Sequence, residues 1–151
     1  MTRPATIFVL LLFGTMLTAQ TPSPTPAKRL EERKEKAEKM SPQDRALIYS
    51  EIVRDLAEIV NEDYNTGAPE KAEGTLKELV DYAEKCVAAA QDKHKKIKEA
   101  EINLRRASRR LDDIRRTLAV DDQPPVKAAV SRIEQLRTDL LSAMFNREKK
   151  K

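Results

Sequence analysis

The chain has 151 residues, room for one domain, and 36% of them are charged while only 4% are aromatic. With three glycines and no alternating period-two segment, that balance excludes a sheet protein and points to long, solvent-laced helices. One cysteine and one histidine, at a net charge of +4, leave no internal disulfide framework and no two-histidine metal motif.

Residues 1–19 have the layout of a secretory signal peptide. Arg3 supplies the positive start, Ile7 to Phe13 an apolar run extended by Met16 and Leu17, and Leu17-Thr18-Ala19 a small residue at the cut. The run is shorter than the roughly 20 residues that a transmembrane helix needs. Export to the periplasm or beyond, with cleavage near Ala19, is the expectation. No cysteine follows the cut to carry a lipid anchor.

Residues 20–27 alternate proline at 22, 24 and 26, which makes an extended linker. Residues 28–40 pair Lys28/Glu32, Glu32/Lys36 and Glu35/Lys39 at helical spacing. Only Leu30, Ala37 and Met40 are apolar there, so this helix has little to bury and is expected to dock weakly.

A helical bundle domain is expected from 41 to 146. Ser41-Pro42-Gln43-Asp44 starts a helix over about 42–64, with Ser41 as cap and Pro42 at the first position. Its apolar face is wide: Leu47, Ile48, Ile52, Val53, Leu56, Ile59 and Val60. Asn65-Thr66-Gly67 ends it with a left-handed cap, and Pro69 starts the next helix at once, giving an antiparallel hairpin. The turn Gly67-Ala68-Pro69-Glu70-Lys71-Ala72 resembles the inter-helix turn of a tetratricopeptide repeat. The resemblance covers this hairpin alone, has no second copy at the roughly 34-residue period of that family, and implies no function.

From Thr75 to Val120 there is no glycine or proline, and the apolar residues keep a heptad beat. Leu76, Ala83, Ala90, Ile97, Leu104, Leu111 and Leu118 hold one seam position; Leu79, Cys86, Ala100, Ala107 and Ile114 hold the other. One continuous helix over about 69–119 follows, roughly 75 Å long. The weak point is Gln91 to His94, where Lys93 falls on the seam and Asp92 can cap a new helix. Asp121 to Pro125 is a clear break, and a last helix over about 125–146 carries Val126, Ala129, Val130, Ile133, Leu136, Leu140, Leu141, Met144 and Phe145. Residues 147–151 form a basic tail.

The fold class expected is therefore all-α: an elongated antiparallel bundle or coiled coil organised on one long helix. Charge is segregated along that helix, with twelve acids against five bases in 41–92 and ten bases against four acids in 93–116. Two chains laid antiparallel would match acidic half to basic half as a homodimer. A break near Asp92 would instead give a four-helix bundle within one chain, where the opposite charges meet.

No Gly-rich phosphate loop, nucleophile–base pair or Glu-x-x-His pattern is present in the spacing. Neither catalysis, a cofactor nor a metal is expected. The expected role is a non-enzymatic structural or adaptor protein acting through helix–helix contacts, with a second copy or another helical protein as partner and no small-molecule substrate. The alternative is a polyanion-binding module for anionic lipid, an envelope polymer or nucleic acid. It would use Lys95, Lys96, Lys98, Arg105, Arg106, Arg109, Arg110, Arg115 and Arg116. No aromatic is interleaved there to stack on bases. The last helix and its tail could also lie on a membrane surface. Cys86, on the seam, reads as a buried free thiol, with an intermolecular disulfide as the sharper possibility.

Overall fold

The computed structural model describes residues 24–92 and 96–148. The expected signal peptide and the first half of the linker, residues 20–23, lie outside them. Five α-helices follow one another: α1 (Pro26–Lys39), α2 (Ala46–Asn65), α3 (Pro69–Asp92), α4 (Ile97–Thr117) and α5 (Gln123–Glu148). Short 3-10 turns at Pro42–Asp44 and Val120–Asp122 precede α2 and α5. There is no strand among the described residues.

The punctuation explains the boundaries. The Thr25 hydroxyl accepts from the Lys28 amide and Pro26 opens α1. Ser41 does not cap α2 as expected; its hydroxyl donates to the Asp44 carboxylate at 2.8 Å, Pro42–Asp44 form the 3-10 turn, and α2 starts at Ala46. Gly67 does close α2 in the left-handed region at φ 72. The Ala68 amide then donates to the Asp63 carbonyl and the Gly67 amide to that of Tyr64, the paired bonds of a Schellman motif.

The single rod expected over 69–119 is instead two helices. α3 ends at Asp92, and Lys96, at φ 66, leaves the α region immediately before Ile97. A lysine on the seam at position 93 is a poor tenant of a buried stripe; residues 93–95 themselves lie outside the described residues. Side-chain pairs fix the directions. Cys86 meets Ala46, so α3 runs antiparallel to α2, whereas Asn103 meets Ser50 and Arg110 meets Glu58, so α4 runs parallel to it. Arg137 meets Glu101 and Glu134 meets Ser108, which sets α5 antiparallel to α4; Arg132 meets Glu84, which sets it parallel to α3. The result is an up-down-up-down four-helix bundle with α3 and α4 on the diagonal, and with α1 laid antiparallel on the outside of α2. The extended two-chain arrangement that needed the rod falls with it.

The core is the heptad stripe seen in the sequence, folded back on itself. Leu79, Ala83, Cys86 and Ala90 of α3 and Ala100, Leu104, Ala107 and Leu111 of α4 are buried, facing Ile52, Val53, Leu56 and Val60 of α2 and Val126, Ile133 and Leu140 of α5. Each large side chain withdrawn from water in this way contributes about 1.5–3 kcal/mol. The alanines keep α3 and α4 slim where the four helices meet.

Candidate binding surfaces

The basic stripe of α4 is cut up by the bundle. Arg110 donates through Nε and Nη2, one edge of its guanidinium, to the Glu58 carboxylate of α2 at 2.9–3.2 Å, so acidic and basic segments meet inside one chain. Arg115 and Arg116 share Asp112 at 2.8 and 2.6 Å; their hydrogen bonds hold that carboxyl below its usual range. Arg105 lies 3.7 Å from Glu101. Lys96, Lys98, Arg106 and Arg109 are exposed and form no ion pair among the described residues. Lys95 is outside the described residues. The eight described basic side chains of the stripe therefore do not present one continuous face.

Two of them line a groove of about 430 Å³ between α1, α2 and α4. Arg106 and Arg110 come from α4, Arg54 from α2 and Arg29 from α1, with Asp55, Glu58 and Glu62 among them. Arg29 donates to Asp55 at 3.3 Å and to the Pro24 carbonyl at 2.7 Å, and Arg54 donates to the Asn103 side chain at 3.3 Å. Neither Arg29 nor Arg54 belonged to the stripe read from sequence, because they come from other helices. The groove mixes four cations with three acids, so ion pairing within the chain competes there with an external polyanion.

The second concave surface, about 420 Å³, is apolar and lies between α3 and α5. Leu76, Val80, Pro125, Ala128 and Ala129 form its floor; Glu73, Lys77 and Arg132 stand on its rim. Parallel helices with alanine at 128 and 129 leave a shallow channel rather than a filled seam. The opposite flank shows how this fold covers such a channel. There α1 buries only Leu30 and Ala37 and is tied down by Arg29 and Arg33 to Asp55, Arg33 to Glu51 at 3.2 Å and Lys34 to Glu78 at 2.9 Å. α1 thus buries the apolar residues that the sequence allowed it, and ion pairs supply the rest.

Polar groups inside the bundle are partnered. Ser50, wholly buried, donates to the Leu47 carbonyl at 2.6 Å and accepts from Asn103 at 3.0 Å. A serine amid Ala46, Ile52 and Val53 is the only mark of that link in the sequence of α2. Between α4 and α5, burial opposes charge on both Glu134 and Arg137, but hydrogen bonds win: Ser108 and Arg137 hold Glu134 below its usual range, and Glu101 and Glu134 hold Arg137 above its own. Cys86 is a free, fully buried thiol whose Sγ donates to the Ala46 carbonyl at 3.2 Å. Burial pushes it up to about 12, so it lacks both the access and the thiolate needed for a disulfide across chains.

No group of three or more metal-ligating side chains gathers among the described residues, and no helix there is long and apolar enough to cross a membrane. No protein-family model, curated protein or solved structure matches the chain.

Proposed function

We propose that this is an exported, non-enzymatic adaptor that receives an amphipathic helix of another envelope protein in the α3–α5 channel. The observation that carries the proposal is the asymmetry of the flanks. One side of the bundle is covered by α1; the other offers an apolar floor and a charged rim with no helix over it among the described residues. A partner built like α1 fits, with two or three small apolar residues at helical spacing and flanking charges to meet Glu73, Lys77 and Arg132. Ala128, exposed on the floor, allows the backbones to approach closely. Export rests on the N-terminal sequence layout.

A photo-crosslinker at position 128, installed in the exported protein, tests this. Expected is one discrete adduct that Val80→Glu abolishes while the protein stays folded, and that the same label at exposed Asp113 on α4 does not give. A label at 128 that yields no adduct, or an adduct indifferent to Val80→Glu, removes the channel as the site.

Polyanion binding by the α1–α2–α4 groove is the second proposal, favoured by its gathering of Arg29, Arg54, Arg106 and Arg110. Retention on heparin that Arg54→Ala with Arg106→Ala abolishes would support it, whereas retention unchanged in that double variant removes it.

A further inference from the structure

The groove between α1, α2 and α4 holds more positive charge than its internal pairs consume. Asp55 accepts from Arg29 and Arg33, and Glu58 accepts from Arg110. Two exposed guanidiniums of the lining, Arg54 and Arg106, form no ion pair among the described residues. Glu62 is the one acid of the lining left without an ion pair there. It stands two turns of α2, roughly 12 Å, beyond Arg54, past the Glu58–Arg110 pair.

The register of the two helices puts those two cations face to face. α2 and α4 run parallel, with Ser50 on Asn103 and Glu58 on Arg110 at sequence separations of 53 and 52. Arg54 and Arg106 have the same separation as the second pair, so they stand level on either side of the groove. One turn before them the Ser50–Asn103 hydrogen bond joins the helices; one turn after them the Glu58–Arg110 ion pair does so. At the level between, like charge faces like charge. Ala57 and Ala107 are buried and line the groove, and side chains so small leave its space open.

Arg54 is also held in place. Its Nη1 donates to the Asn103 Oδ1 at 3.3 Å, and the Asn103 amide donates to the Ser50 hydroxyl at 3.0 Å. Ser50 and Asn103 are buried, at 0% and 7% exposure, so this chain of hydrogen bonds runs from the core out to the guanidinium. A neutral amide fixes Arg54 without consuming its charge. The other N–H groups of Arg54, with those of Arg106, remain as donors at this level.

We propose that the groove binds a phosphoryl group between Arg54 and Arg106. This rests on the reading of the groove as an anion site and narrows it from a polymer to one compact oxyanion. Two guanidiniums at one level match the charge of about −1.5 to −2 that a phosphate monoester carries at neutral pH, and a carboxylate falls short of it. Each planar fork can donate to two oxygens, and a tetrahedral group offers such an edge to both forks at once. The acids of the lining oppose a long run of phosphates, whereas a single one meets the two uncommitted cations. Both cations are exposed, so the expected dissociation constant is on the order of millimolar.

An NMR titration of the isotope-labelled full chain with inorganic phosphate, at constant ionic strength, tests this. Expected are saturable shifts at the Nε–H groups of Arg54 and Arg106. Arg54→Gln or Arg106→Gln alone weakens binding by about tenfold. Arg109→Gln, on the α5 flank of α4, leaves it unchanged. All three positions are exposed, and unchanged thermal melts verify the fold. Acetate binds at least about tenfold more weakly than phosphate. Phosphate that gives no saturable shift overturns the proposal, as does acetate that binds equally well or an affinity that either groove variant leaves unchanged. Heparin separates this proposal from the polymer reading. Retention lost in Arg54→Ala with Arg106→Ala, but no phosphate binding, keeps the polymer and overturns the phosphoryl site. Phosphate binding with retention indifferent to that double variant does the reverse. Glycerol phosphate that displaces inorganic phosphate assigns the group to a soluble monoester. Flotation with phosphatidic acid vesicles that phosphate reverses and Arg54→Gln abolishes assigns it to a lipid headgroup.

Discussion

Asp55 is where a single side chain matters most outside the apolar core. It is 5% exposed on α2, yet it is the common acceptor for Arg29 and Arg33 of α1. Burial alone would lower the Arg33 guanidinium, but its hydrogen bonds and proximity to Asp55 and Glu51 raise it instead. Asp55→Ala strands two partly covered cations, and urea denaturation should show a loss of about 1–3 kcal/mol. Glu58→Ala, which breaks the half-exposed pair with Arg110, should cost under about 1 kcal/mol in the same measurement. A larger loss at Glu58 than at Asp55 would contradict this ordering. Cys86 makes a different kind of prediction. Its thiol is pushed from an ordinary 9.0 up to about 12, so the folded chain holds its proton where the unfolded chain releases it. The thiol's contribution to stability is full below about pH 9 and is lost as pH rises from there towards 12. Alkylation by iodoacetamide at pH 8 should be absent from the native protein and complete in urea, read by mass; Cys86→Ala should flatten the alkaline loss of stability.

At the scale of the helices, α1 is the element most dependent on charge. Its apolar contribution is Leu30 and Ala37, and four of its contacts to the bundle are ion pairs made by partly exposed α1 side chains. Screening weakens such pairs while leaving apolar burial intact. Amide exchange in α1 should therefore accelerate between low and high salt, with α2 to α5 unchanged. A salt-indifferent α1 would mean that its two apolar anchors suffice. The chain's punctuation made most of these helices legible beforehand. Gly67 and Pro69 marked one turn, Asp121 to Pro125 another, and the apolar spacing named the buried face of α2, α4 and α5. The break before Ile97 was not legible in the same way. A heptad stripe is buried whether its helix continues or doubles back, so periodicity cannot tell the two apart, and no glycine or proline stands there to decide. Lys93 on the seam and Asp92 as a candidate cap were the clues. The two grooves were illegible for a related reason: each is made by helices distant in sequence, and Arg29, Arg54 and Ala128 acquire a role only once their neighbours are placed.

For the whole molecule the reversal at Lys96 decides what kind of object the chain is. A continuous rod would carry an exposed seam along its length and would need a second chain to cover it. The bundle covers its own seam, because α2 and α5 each lie against both α3 and α4. It also brings the acidic segment of α2 to the basic segment of α4, as Arg110 on Glu58 shows. What remains for partners is then the α3–α5 channel and the α1–α2–α4 groove, not the stripe. A pair of spin labels distinguishes the two forms in solution. Glu70 and Asp113 are exposed, and they lie at the same end of the bundle on diagonal helices. With adjacent axes about 8–10 Å apart, labels there should be roughly 15–25 Å from one another. In an unbroken helix the same positions would be separated by about 65 Å. Double electron–electron resonance on Glu70→Cys with Asp113→Cys, in a Cys86→Ala background, should give the short distance alone. A long component that grows with concentration would mean that α3 and α4 straighten to exchange partners between chains.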